Sequence, residues 1–293
     1  MRSFLYIPGN RPKLLDKTAT LAADFFILDL EDSVPPQEKV AARKLVCDYA
    51  TRIGGGRAWV RTNAMDTGHF AADLAAVAGA PGVAGLFIPK VDTVDQVRDA
   101  SAQIESHEKA RGIAAGSIKL ILTAESARAV LHCYQIVMAS ARVLSIVFGG
   151  ARDADLMNDL GCEWSSDGPE LMQARTHMLL AARAAGVAAP LDGAYTDIRD
   201  KDGFERDTAL SRRLGYRGRM LIHPDQIEPS NRLYGRSAAE LDYYARVIAA
   251  FDAAVARGEA TTTVDGRMID VAMAETARKA LSSHGSRTET LNN

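Results

Sequence analysis

Three carboxylates, Asp29, Glu31 and Asp32, follow directly on the apolar run of residues 25–28 in the stretch FFILDLEDSV. A buried strand that ends this way aims several negative charges at one small volume, which is costly unless a cation, hydrogen-bond donors or a substrate shares it. The arrangement recurs along the chain. Asn10 and Arg11 follow FLYI, Arg61 closes AWVR with Asn63 just after it, Lys90 follows GLFI, and Glu125 follows KLILT. Asp153 and Asp155 come after VLSIVF, Asp192 after residues 189–191, and His223 after RMLI. Acids outnumber bases in this set, with no Cys and no clustered His, so the cation it suits is Mg²⁺ or Mn²⁺ rather than Zn²⁺. Mg²⁺ usually takes one or two protein carboxylates, which leaves other acids to hold waters, bind substrate hydroxyls or pair with Arg61 and Lys90. Arg61, with a planar fork of donors, is the natural clamp for a substrate carboxylate. Gly149 and Gly150 let backbone N–H groups approach a substrate oxygen as an anion nest does, or else only permit a tight turn. His223 fits a loop-fixing hydrogen bond better than a general base, and Trp59 and Trp164 fit packing.

Elements must bring these groups together. Apolar runs predict strands at 4–7, 25–30, 58–61, 85–88, 119–123, 143–148, 189–191 and 219–222. Between them, helical spacing covers 14–23, 37–49, 70–78, 93–109, 127–139, 170–185 and 202–214. Regular alternation of this kind is the pattern of parallel βαβ units, either a (β/α)8 TIM barrel or a doubly wound open sheet. The barrel is favoured because the alternation occurs eight times, and because no GxGxxG follows the first strand. In a barrel every strand delivers its C-terminal end to one rim, and the chemistry gathers there. The expected division is a barrel over 1–235 and a helical extension over 236–293, with helices at 238–257 and 271–281 and a loop through Thr261-Thr262-Thr263. The last dozen residues, 282–293, are expected to fray.

The chain has 293 residues, 47% hydrophobic and 25% charged, with a net charge of −2. That is ordinary globular composition, with no electrostatic footprint for nucleic acid or an anionic membrane. No apolar run approaches the roughly 20 residues of a bilayer span, and Pro8 comes too early for a signal peptide. Cys47, Cys133 and Cys162 are far apart and form no CxxC, which reads as reduced thiols in a cytoplasmic protein.

Taken in order, several motifs resemble the citrate lyase β-subunit-like family within the HpcH/HpaI aldolase group. They are RSFLYIPGNRP (2–12), FILDLEDSV (26–34), KVAAR (39–43), VRTN (60–63), IPKV (88–91), TAES (123–126), FGG (148–150), LDG (191–193), LGYRGRMLIHPDQI (214–227) and DGRMID (265–270). The resemblance runs along nearly the whole chain. It implies a (β/α)8 barrel, usually a homotrimer, that binds Mg²⁺ and makes or breaks a C–C bond in a 3-hydroxyacyl-CoA. Substrates of the family are of citramalyl-CoA, malyl-CoA or citryl-CoA type, giving acetyl-CoA and a 2-oxoacid.

The same resemblance places metal ligands on Glu125 and on an aspartate after FGG. Here the turn FGGARDADLMNDLG is longer than the family pattern. Aligning its DLxxDLG end selects Asp155, which is preferred, and aligning the strand end selects Asp153. Arg61 matches the arginine that holds the 2-oxoacid carboxylate, and Glu31 and Asp32 match acids that hold metal waters. Asp270 matches an aspartate that related lyases deliver from a neighbouring subunit, although its local sequence also fits a helix N-cap. Arg219 stands where lysine is usual and bears on contacts to the CoA phosphates. Arg2, Arg11 and Lys17, basic and near a strand end, favour a CoA thioester over a free hydroxy-oxoacid. The rival readings are a thioesterase using the same site, an aldolase on free hydroxy-oxoacids, and a subunit of a citrate lyase complex.

Overall fold

Alternation along the first strand sets the plan. In β1 (Ser3–Pro8), Phe4 and Tyr6 face one side and Leu5 and Ile7 the other, and both sides are covered. The strands β2 (Phe25–Asp29), β3 (Ala58–Arg61), β4 (Val83–Ile88), β5 (Lys119–Ala124), β6 (Val143–Phe148), β7 (Leu191–Asp192) and β8 (Gly218–Leu221) follow. Each pairs in parallel with the next, and β8 pairs back onto β1 to close an eight-stranded barrel. Burial on both faces explains why these strands read as continuous apolar runs rather than as alternating ones.

The computed structural model describes the backbone of residues 1–290 and the side chains of residues 1–282, so the expected fraying of 282–293 lies, beyond Ser282, outside the described side chains. The chain falls into two compact units, Met1–Tyr234 and Gly235–Asn293. Inside the barrel one side chain from each strand forms a closed layer: Phe4, Ile27, Trp59, Phe87, Ile121, Val147, Leu191 and Met220, none more than 4% exposed. The outward side chains, among them Leu28, Val60, Leu86, Leu122 and Ile146, pack on helix residues such as Val46, Leu74, Ile104 and Met178.

The helices Lys39–Ile53, Phe70–Val77, Val94–Ala110, Pro169–Ala184 and Lys201–Leu214 stand close to where spacing predicts them. Thr93 and Gln96 form a capping box at the start of Val94–Ala110, with Gln96 N–H donating to Thr93 Oγ1 at 3.3 Å. Several expectations change. The helix expected at 127–139 is two, Ala127–Leu131 and Cys133–Met138, broken at His132. The one expected at 14–23 shortens to Pro12–Leu15 with a 3₁₀ turn Asp16–Ala19 behind it. A short helix, Asp155–Leu160, starts where only a loop was expected.

In the second unit, helices Ala238–Ala256 and Val271–Thr290 pack with a hairpin around Val247, Phe251, Val264, Ile269, Ala274 and Ala277. The hairpin, β9 (Thr262–Val264) and β10 (Arg267–Ile269), replaces the expected loop. Its turn is Asp265-Gly266, with φ of 51° and 75°, the left-handed pair that a two-residue hairpin favours. No helix among the described residues is long and apolar enough to cross a membrane.

Candidate active site

Two residues above the closed layer, the same inward alternation brings Tyr6, Asp29, Arg61, Thr123, Gly149 and Gly193 to the C-terminal rim. Asp29 and Arg61 are register partners on β2 and β3. Arg61 Nε donates to Asp29 Oδ1 at 2.7 Å and Nη2 to Oδ2 at 2.8 Å, a bidentate pair, while its guanidinium lies 4.6 Å from the centre of the Tyr6 ring. Asp29 also accepts hydrogen bonds from the Glu31 N–H at 2.9 Å and from Ser33. Burial alone would raise the Asp29 carboxyl, but Arg61 and these donors outweigh it and hold the group below its ordinary range. The structural role expected of Asp29 is therefore the one its contacts show, and it alters the reading of Arg61. The fork expected to clamp a substrate carboxylate is taken by Asp29, which leaves Nη1, beside Glu31, as the one edge of the guanidinium that Asp29 does not hold.

Nη1 lies 2.9 Å from Glu31 Oε2, an ion-pair distance without hydrogen-bond alignment, so that buried oxygen has no donor. Burial and the negative charges of Asp32, Glu125 and Asp29 push the Glu31 carboxyl up to about 8 against the pull of Arg61. Buried Lys39 fixes the turn that carries Glu31 by donating to the carbonyls of Leu30 at 2.8 Å and Glu31 at 2.9 Å. Neither Lys39 nor Tyr6 was singled out by the sequence. The alternation with Phe4, which turns Tyr6 inward, was the available signal.

Glu125 comes from the end of β5, just before Ser126, whose hydroxyl caps Ala127–Leu131 by accepting the Ala129 N–H at 3.0 Å. That cap fixes the chain direction beyond Glu125. A cavity of about 240 Å³ opens here, lined by Tyr6, Asp32, Arg61, Thr123, Glu125 and Asp155 together with Gly149 and Gly193. Burial raises the Glu125 carboxyl, and the charge of Asp155 adds to the effect despite Arg61 and the Lys90 N–H. The structure separates the two aspartates of the long turn. Asp155 opens its helix on the cavity wall, whereas Asp153 is 82% exposed beside Arg152, with φ of 58°.

Gly149, at the end of the neighbouring strand β6, closes the wall beside Glu125. Its N–H is donated to the Ala124 carbonyl at 2.9 Å, so it is not free for a substrate oxygen; of the two glycines, only Gly150 keeps an N–H without a partner among the described residues. A β-carbon at 149 would stand 2.6 Å from both the Ala124 oxygen and Glu125 Cγ. We expect Gly149→Ala to cost about 1–3 kcal/mol of stability and to lower turnover by displacing Glu125. Melting curves and kinetics measured together check this, and full activity at reduced stability would separate Gly149 from the positioning of Glu125.

The remaining expected residues lie outside the lining of this cavity. Arg11 and Lys17 are exposed on the segment after β1 and do not line the cavity. Arg219, expected near CoA phosphates, is instead 2% exposed and donates to the Gly193 carbonyl at 2.9 Å and to Thr208 Oγ1 at 2.7 Å. It also pairs with Asp207, and Arg175 pairs with Asp192 and Asp207, so this group braces the barrel wall. Asp270 belongs to the second unit and caps Val271–Thr290, accepting the Met273 N–H at 2.9 Å. His223 likewise fixes a turn, its Nδ1 accepting the Asp225 N–H at 3.2 Å.

The described residues hold no cluster of three or more His, Cys, Asp or Glu arranged as a ready-made metal cage. Glu125 and Asp155 facing one cavity, with Asp32 on its wall, nevertheless match what Mg²⁺ asks of a protein: one or two carboxylates and room for water or substrate oxygens. The donor set fits the ion.

Known proteins resemble this chain in sequence and in fold. The sequence profile of the HpcH/HpaI aldolase/citrate lyase family matches residues 2–224. The citrate lyase subunit beta of Leuconostoc mesenteroides subsp. cremoris is 34% identical over 271 residues, 92% of this chain and 88% of that protein. A (3S)-malyl-CoA thioesterase of Cereibacter sphaeroides (strain KD131) is 35% identical over 286 residues, 96% of this chain and 93% of its own. Among solved structures, protein CitE from Mycobacterium tuberculosis in complex with magnesium, acetoacetate and coenzyme A superposes with a TM-score of 0.75 at 30% identity, covering 97% of this chain and 98% of that one. By profile, by sequence and by fold, the chain belongs to the HpcH/HpaI aldolase/citrate lyase family.

Proposed function

We propose that this protein is a Mg²⁺-dependent C–C lyase that cleaves a 3-hydroxyacyl-CoA into acetyl-CoA and a 2-oxoacid. The observation that carries the reading is the meeting of Glu125, Asp155 and Arg61 on one cavity at the barrel rim. Glu125 and Asp155 would hold Mg²⁺, or Mn²⁺ in its place; when bound, the ion supplies a Lewis acid for the oxygens of the acid portion. Arg61 Nη1 faces the substrate carboxylate, and the Gly150 N–H is the backbone donor left for an oxyanion. Asp32, open to the cavity, takes the hydroxyl proton. As the C–C bond breaks, its electrons pass to the enolate of acetyl-CoA. Asp270, delivered by a neighbouring subunit of a homotrimer, returns a proton to the methyl carbon. In that assembly, residues 236–293 pack on the neighbour, and Arg11 and Lys17 on the barrel segment meet the CoA phosphates. We place the enzyme in the cytoplasm.

The thioesterase relative at 35% identity favours a second outcome for the same site, in which water attacks the acyl-CoA carbonyl. Incubating the purified protein with Mg²⁺ and citramalyl-, malyl- or citryl-CoA decides between them. Acetyl-CoA with a 2-oxoacid supports the lyase, with citramalyl-CoA expected first. Free CoA with an intact hydroxy acid means the thioesterase, and consumption of none of the three would refute both.

A further inference from the structure

Lys90 follows β4 in a left-handed backbone conformation, φ 52°, which a residue with a β-carbon seldom adopts. Such strain persists only where surrounding contacts demand it. Here the demand is visible. The Lys90 N–H donates to Glu125 Oε2 at 3.2 Å, while its Nζ reaches Asp155 Oδ2 at 3.3 Å and Glu31 Oε1 at 3.8 Å. One residue thus touches three carboxylates of the site, Glu125 through its main chain and the others through its ammonium. The two attachments differ in kind. The main-chain bond is built into the turn, whereas the side chain is 42% exposed and free to swing toward solvent. Arg61, at 14% exposure and doubly bonded to Asp29, has no such freedom.

We propose that Lys90 is a tethered internal cation that neutralises Asp155 and Glu31 until a divalent ion displaces its ammonium, and that this competition sets the affinity of the site for metal. The proposal rests on the assignment of Glu125 and Asp155 to the ion. An ammonium and a divalent cation repel each other and seek the same Asp155 carboxylate, so each ion bound must expel the lysine head. The main-chain bond stays behind and keeps Glu125 in place in both states. Lys90 is a positioning residue on this account, and no step of the reaction passes through it.

The test uses Mn²⁺ alone, titrated at one fixed pH into the full-length protein without substrate, with binding followed by calorimetry or by the resonance of free Mn²⁺. Lys90→Met and Lys90→Gln should bind at least about tenfold more tightly than the unaltered protein, while Lys90→Arg, which keeps the charge, should stay close to it. Melting curves of each ion-free variant show that it is folded, and the two uncharged variants check one another. Equal or weaker Mn²⁺ binding by both overturns the proposal and leaves the metal assignment standing. Failure of every form, the unaltered protein included, to bind Mn²⁺ overturns the assignment and the proposal together.

Discussion

Replacing Glu125 with glutamine is expected to lower Mg²⁺-dependent cleavage by at least about 10²–10³-fold, with the fold retained. Glutamine keeps the shape of the side chain and an oxygen that can still accept the Lys90 N–H, so the strand end and the Ser126 cap have no reason to move. What is lost is a negative charge at a rim whose neighbouring acids are partly committed: Asp155 to Lys90, and Glu31 to the neighbourhood of Arg61. Because burial and Asp155 already raise the Glu125 carboxyl, the neutral variant should be as stable as the parent without metal, or more so. The checks are the melting temperature in the presence of a chelator, then turnover with saturating Mg²⁺. Undiminished turnover would remove Glu125 from the site.

Arg61→Met should have the largest effect on stability, a loss of about 3–5 kcal/mol, because it strands one member of a buried ion pair. Asp29 is 1% exposed and relies on Arg61 for two of its hydrogen bonds. The pH dependence identifies the cause. In the parent the Asp29 carboxyl lies below its unfolded value, so its contribution is present above that unfolded value and is lost as pH falls through the folded one. Without Arg61, burial has no opponent of equal size and the carboxyl rises. Its ionised form then destabilises the fold as pH rises above the unfolded value, so the deficit should grow with pH and shrink as the medium is acidified toward that value. Urea unfolding at several pH values measures both curves, and a deficit independent of pH would point to lost packing on Tyr6 instead. Activity should fall as well if Arg61 holds the substrate carboxylate as proposed.

The barrel was legible because its strands are buried on both faces, so each appears as a short apolar run closed by a polar residue. The bounds of β3 and β6 agree with the sequence to the residue. The rim was legible for the same reason. Contacts across strands were not. Nothing local says that the Asp29 carboxylate will take the Arg61 fork, because the pairing depends on the register of β2 against β3. The breaks in 14–23 and 127–139 were missed because apolar spacing continues through them while the backbone does not. The hairpin at 262–269 was readable, since Asp-Gly between short alternating runs is its signature. Glycines are ambiguous in a sequence, and Gly149 proved to be wall rather than donor.

The closed layer of eight side chains under the cavity is more than a core. It gives the cavity a closed floor, so that nothing drains through the barrel toward the N-terminal ends of the strands. For a two-part substrate whose acid end lies deepest, on Arg61, departure is then a queue in which the thioester half goes first. The 2-oxoacid, last to leave, should inhibit competitively against the acyl-CoA, and acetyl-CoA should not. Product-inhibition kinetics with both would expose any second exit.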